Sequence, residues 1–140
     1  LVGTGKVAKE NYLPYIVRHE EVELSYYNRS REKAEAVAEQ FGGRVAGSVA
    51  NLMEDDPDTV LVLTGESDRL DAAQALLPFK PRRLFFEKPL VAQRGQADVA
   101  EDDFFQGRQL LHRAHVGGQL AVHWVESWCG QGTGAVAPVR

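Results

Sequence analysis

The chain has 140 residues with 16 basic and 20 acidic side chains, a net charge of −4, 44% hydrophobic and 26% charged residues. A length near 150 residues is about one domain with enough burial for a core, and this balance excludes a disordered or collagen-like chain and argues against general nucleic-acid binding or attraction to an anionic membrane. The single cysteine, Cys129, excludes an internal disulfide and fits a cytoplasmic protein, and neither a bilayer-spanning apolar run nor a secretion signal is present.

Leu1-Val2 reads as the stub of a first strand. Strands usually have about five residues, so the chain is expected to be a fragment that begins inside this one. A glycine turn follows, then a helix over Lys6 to Arg18, with apolar Val7, Ala8, Tyr12, Leu13 and Ile16 at helical spacing. Pro14 counts against an unbroken helix, because it lacks the N–H that the ladder needs. Val22 to Asn28 is expected as strand, and Ser30 as the N-cap of a helix over Arg31 to Phe41 that Gly42-Gly43 ends. Arg44 to Ala46 is a short strand, and Ser48 caps a short helix ending near Asp55. The Val-Leu-Val-Leu run within Asp58 to Thr64 suits a central strand buried on both faces. Asp68 to Leu77 is expected as helix, Arg83 to Phe86 as strand, Glu101 to Val116 as helix closed by Gly117-Gly118, and Leu120 to Trp124 as a last strand.

Strand and helix alternate throughout, which predicts an α/β fold: a doubly wound, mainly parallel sheet of the Rossmann type with helices on both faces. Residues 1–124 would form this dinucleotide-binding domain, and residues 125–140, Gly-, Ala- and Val-rich toward the end, an irregular tail.

Gly3-Thr4-Gly5-Lys6-Val7-Ala8 reads G-x-G-x-x-A between a strand and a helix. The first glycine permits a tight turn, the second lets a pyrophosphate approach the backbone, and the small third residue lets helix and strand pack closely. The helix start then offers N–H groups and a positive dipole end to phosphate. At the end of the second strand an acidic residue would bond the adenosine ribose and repel a 2′-phosphate. The residues there are Asn28, Arg29, Ser30 and Arg31. Arg29 can pair with a phosphate, Ser30 can donate to it, and Asn28 can bond a ribose hydroxyl. NADP is therefore expected over NAD as cofactor. At the end of the fifth strand stand Glu87-Lys88-Pro89. Lys88 could stabilise charge on a substrate oxygen, with Glu87 holding it in place.

The glycine turn, Asn28-Arg29-Ser30, the strand Asp58 to Thr64 and Glu87-Lys88-Pro89 occur in one order. Together they resemble the N-terminal half of the Gfo/Idh/MocA oxidoreductases, the glucose-fructose oxidoreductase and inositol dehydrogenase family. The resemblance covers about residues 1 to 122. It implies a Rossmann fold binding NAD or NADP, with Gly3, Gly5, Lys6, Val7, Asn28, Arg29, Ser30, Thr64 and Glu87 near the cofactor. It also implies that Lys88 contacts nicotinamide and substrate as the catalytic residue. The family's C-terminal substrate domain is not among these residues. After Thr64 the family commonly has a proline and then a histidine; Gly65-Glu66-Ser67-Asp68-Arg69 stands here instead.

The expected activity is hydride transfer between a nicotinamide cofactor and a small polyol, sugar or related metabolite. A non-catalytic dinucleotide-binding sensor or partner subunit is the alternative, and another Rossmann enzyme such as a methyltransferase is a third reading. No metal site is expected: His112 and His115 share a helical face in this reading but lack further ligands. Asp55-Asp56 and Asp102-Asp103 read as a helix end and a helix start rather than acid/base pairs.

Overall fold

Two short residues hold the centre of the sheet. In the computed structural model, which describes residues 1–87, 109–116 and 119–127, Val2 N donates to Leu61 O and Leu63 N to Val2 O, each at 2.8 Å. On the other side Tyr27 N donates to Leu1 O at 2.8 Å and Gly3 N to Tyr27 O at 2.9 Å. Val2 thus lies parallel to both Val62 and Tyr27. It joins the parallel pair β1 (Ser25–Tyr26) and β2 (Arg44–Val45) to the parallel pair β3 (Val60–Val62) and β4 (Arg83–Phe86). The resulting order is β2, β1, Leu1-Val2, β3, β4, and the sheet continues into β6 (Gln119–Ser127) and β5 (Gln109–Val116).

Successive residues of a strand point to opposite faces, and two cores result. Val2, Ala46, Val60, Val62, Leu84 and Phe86 pack on one face with Leu52 of α3 (Val49–Met53) and Leu70, Ala73 and Leu76 of α4 (Glu66–Leu76). Leu1, Tyr26 and Leu63 pack on the other with Ala8, with Leu13 of α1 (Leu13–Ile16) and with Ala34 and Val37 of α2 (Arg31–Phe41). Helices therefore cover both faces, the doubly wound arrangement read from the alternation.

Several local features depart from the sequence reading, each for a physical reason. The first helix is split. Ala8–Tyr12 is a π-helix, and α1 follows with Pro14 in its first turn. Pro14 cannot donate to the carbonyl four residues back, and Leu13 N bonds Ala8 O five back instead. Ser30 occupies the N-cap position of α2 but makes no side-chain cap hydrogen bond. Ser48, by contrast, does cap α3, accepting from Asn51 N at 3.0 Å. Asp55, just past α3, accepts hydrogen bonds from Arg44 and Ser25, and the Arg44 bond holds its carboxyl below the usual range.

The largest correction concerns the second half of the expected helix over Glu101 to Val116. Gln109–Val116 is strand β5, antiparallel to β6 from Gln109↔Ser127 to Val116↔Gln119. Two paired strands separated by Gly117-Gly118 match a hairpin signal, although the same glycine pair in sequence also reads as a helix stop. Strand pairing with β6, and through it with β4 at Leu84↔Val125, outweighs the helical spacing of Leu110, Leu111 and Ala114. The shared helical face expected for His112 and His115 disappears with the helix. β6 also runs to Ser127, past the expected strand end at Trp124 and into the expected tail. Among the described residues no helix is long and apolar enough to cross a membrane, and no three metal-ligating side chains gather.

Candidate functional site

The glycine turn sits at the carboxyl end of the sheet's central segment, where an open parallel sheet presents its crevice. Gly3 has φ +94°, and a Cβ there would lie 2.6 Å from Thr64 N and 2.8 Å from the Leu63 carbonyl carbon. The turn therefore presses against the end of β3 at a distance that only glycine permits. Gly5 differs: a Cβ would meet nothing within 4 Å among the described residues. The space beside it belongs to a cleft of about 450 Å³, lined among others by Gly3, Gly5, Asn28, Arg29, Ser30 and Thr64.

The β1 end supplies the polar wall. Asn28 Oδ1 accepts from Thr4 N at 3.1 Å, and Asn28 Nδ2 donates to Ser30 O at 3.0 Å. Asn28 thereby ties the glycine turn to the start of α2. Arg29 reaches across the cleft mouth, donating Nη2 to Asp68 Oδ2 at 2.7 Å. Its side chain is 81% exposed, so this pair is weak in water.

A second polar group lies beyond the cleft lining. Tyr12 donates its hydroxyl to Glu87 Oε2 at 3.1 Å and stands edge-on to Phe85, ring centroids 5.9 Å apart. The π-turn delivers Tyr12 to this position at the carboxyl end of β4. Arg69 of α4 is buried, donates Nη2 to Thr64 O at 2.9 Å and is attracted by Glu87. Burial pushes its pKa down, while Glu87, Glu66 and Tyr12 oppose that.

Burial, then the hydrogen bond and charge of Glu87, push the Tyr12 phenol up to about 12 from 10.0. Below the ordinary tyrosine value the phenol is neutral in both folded and unfolded chains. Above it the unfolded chain loses its proton first, so stability is lost as pH rises through the window up to the folded value. Tyr26, raised by burial to about 12, contributes likewise. Tyr12→Phe is expected to remove about half of that alkaline loss, read from urea unfolding at each pH. An alkaline slope identical to wild type would show that burial and Glu87 do not hold this phenol neutral.

The expected site residues divide into three groups. Gly3, Gly5, Asn28, Arg29, Ser30 and Thr64 meet at the cleft. Thr4, Lys6, Val7, Ala8 and Glu87 are outside its lining. Thr4 is buried with its N–H given to Asn28, and Ala8 packs fully buried between helix and sheet. Lys6 points to Glu10 at 3.8 Å with its side chain 81% exposed, and Val7 is exposed. Lys88 lies outside the described residues. Sequence reading missed the opposite wall, where Asp68, Asp71, Ala72 and Ala75 of α4 line the cleft. Their i, i+3, i+4, i+7 spacing was a usable signal of one helical face.

The cleft fits an extended phosphate-bearing ligand. It has backbone glycines on one wall, the cationic side chains of Arg29 and Lys33 in its lining and, at Thr64, a buried hydroxyl oxygen that has no partner among the described residues. A family model described as an oxidoreductase family with an NAD-binding Rossmann fold (GFO_IDH_MocA) matches residues 1–102. The chain belongs to the Gfo/Idh/MocA oxidoreductase family. It is similar to the 3-ketoreductase KijD10 from Actinomadura kijaniata, solved in complex with NADP and TDP-benzene. That likeness has 26% identity and a TM-score of 0.63, and covers 79% of this chain and 34% of the other. A Gfo/Idh/MocA family oxidoreductase from Vibrio cholerae shares the fold at 18% identity and a TM-score of 0.66, over 75% of this chain and 34% of the other. A dehydrogenase (MviM) from Clostridium difficile does so at 18% identity and a TM-score of 0.64, over 75% and 34%. No curated protein matches the sequence significantly. The chain thus spans about a third of the length of these structures and carries the NAD-binding Rossmann domain of its family.

Proposed function

We propose that this chain is the cofactor half of an oxidoreductase that transfers hydride between a nicotinamide cofactor, NADP in preference to NAD, and a small polyol, sugar or related metabolite. The observation that carries the cofactor preference is the polar wall of the cleft. Arg29 stands at its mouth, and the end of β1 offers Asn28 where an NAD site would place a carboxylate. Ser30 has no capping bond to maintain, which leaves its hydroxyl available to a phosphate. KijD10 was solved with NADP, which agrees.

In this reading a bound dinucleotide supplies the hydride, and the protein aligns it and stabilises charge on oxygen. Gly3 lets the turn press close against Leu63 and Thr64, and Gly5 keeps it bare so that a pyrophosphate reaches the N–H groups at the helix start. Thr4 contributes its backbone bond to Asn28, which fixes the turn, and Ala8 lets the helix sit close to the sheet. Lys6 and Val7 lie at the opening of that helix, and Glu87 stands at the nicotinamide side. Lys88 is the proposed catalytic residue, its charge matched to the substrate oxygen. Residues 1–124 are the proposed dinucleotide-binding unit and the setting is cytoplasmic.

Arg29→Ala tests the cofactor assignment. It removes a charge-assisted phosphate bond worth about 1.5–3 kcal/mol, so NADPH affinity is expected to fall about tenfold or more. NADH affinity should change far less. Calorimetry with equal losses for both cofactors would remove Arg29 from this role. Hydride transfer itself is read by following NADPH absorbance with a polyol and sugar panel on the complete enzyme. Failure with every carbonyl and alcohol tried, despite tight NADPH binding, would favour a dinucleotide-binding sensor.

A further inference from the structure

Arg29 has an anionic neighbour that the end of β1 does not supply. Asp68, in the first turn of α4, accepts from Arg29 Nη2 at 2.7 Å, and both residues line the same cleft. We propose that Asp68 is a specificity-determining residue: of the two carboxylates that α4 brings to this cleft, Asp68 and Asp71, it is the one bonded to Arg29, and it restrains the preference for a 2′-phosphate. The inference rests on the dinucleotide reading above.

Two effects of Asp68 oppose each other. By holding Arg29 it could prepare the guanidinium for a phosphate. By its charge it competes for the guanidinium and repels the phosphate directly. The geometry favours the second effect. Arg29 is 81% exposed and meets Asp68 through Nη2, so little side-chain freedom is removed in advance. A phosphate bonded to Arg29 would lie within a guanidinium's width of the Asp68 carboxylate. At such a separation, about 6 Å, each unit of like charge weakens binding about threefold even in water. A 2′-phosphate carries between one and two such charges. A cofactor without that group feels no such repulsion, and its ribose hydroxyl can donate to a carboxylate.

The test uses the 140-residue chain, with NADPH and NADH titrated separately by calorimetry at low salt. Asp68→Asn is expected to raise the ratio of NADPH to NADH affinity about three- to tenfold. The gain should shrink at about 0.5 M salt, where the Debye length falls to a few ångströms. Asp68→Glu keeps the charge and is expected to leave the ratio within about twofold of wild type. Thermal unfolding of each variant near the wild-type temperature excludes misfolding as the cause. A ratio that stays constant or falls in Asp68→Asn overturns the proposal. If wild type binds both cofactors and Arg29→Ala loses NADPH while Asp68→Asn is silent, this inference alone falls. Wild type binding neither cofactor would overturn the dinucleotide reading together with it.

Discussion

Gly5→Val is expected to abolish measurable NADPH binding while the chain unfolds at nearly the wild-type denaturant concentration. Among the described residues a Cβ at Gly5 meets nothing within 4 Å, and the residue is exposed. Substitutions at such positions usually change stability by no more than about 0.5 kcal/mol. The isopropyl group would nevertheless stand where a pyrophosphate approaches the turn. Displacing the phosphates from two backbone N–H groups removes two charge-assisted bonds, on the order of 3 kcal/mol together, which is about 100-fold or more in affinity. The pair of measurements is a urea unfolding curve and an NADPH titration. A valine variant with unchanged affinity would move the phosphate site away from this turn.

Gly3→Ala should do the reverse and damage the fold itself. The alanine would have to hold φ near +94° with its methyl 2.6 Å from Thr64 N and 2.9 Å from Thr64 Cα. A left-handed backbone costs a non-glycine residue about 1–2 kcal/mol, and overpacking against a backbone that cannot yield adds about 1–3 kcal/mol. The neighbouring chain is the end of β3, which the Val2 hydrogen bonds lock into the sheet centre. Relief by local movement would break that pairing. A loss of at least about 2 kcal/mol in urea unfolding is therefore expected, a large share of the roughly 5–15 kcal/mol that holds a domain together. Stability within experimental error of wild type would mean that the turn does not press on Leu63 and Thr64. Comparing the two glycines separates their roles: Gly3 serves the fold and Gly5 serves the ligand.

The neighbourhood of Arg29 shows where residue-level reading stops. The sequence places an arginine after a strand that ends without a carboxylate, and that is enough to raise a 2′-phosphate preference. It does not show that Asp68, 39 positions later, bonds the same guanidinium. Likewise the sequence places Glu87 beside the cofactor but shows its partner Tyr12 only as one apolar position of a helix. Pro14 signalled trouble in that helix, but only the folded chain shows that the ladder widens to a π-turn and brings Tyr12 toward Glu87.

The alternation of strand and helix up to Phe86, the position of the glycine turn and the family are all legible in the order of residues. These depend on short-range physics: hydrophobic period, capping residues, and glycines where a turn requires them. The Arg83–Phe86 strand and the Arg31–Phe41 helix have the expected bounds for that reason. Tertiary structure decided the rest. Gln109–Val116 became a strand because antiparallel pairing with β6 satisfies its backbone through a long-range contact that helical spacing cannot reveal. The opposite wall of the cleft was decided the same way. Leu70, Ala73 and Leu76 turn one face of α4 into the core, and the remaining face, with Asp68 and Asp71, is thereby set toward the ligand cleft. Local propensity can say that a segment is a helix, but which of its faces meets another part of the chain depends on packing between distant residues.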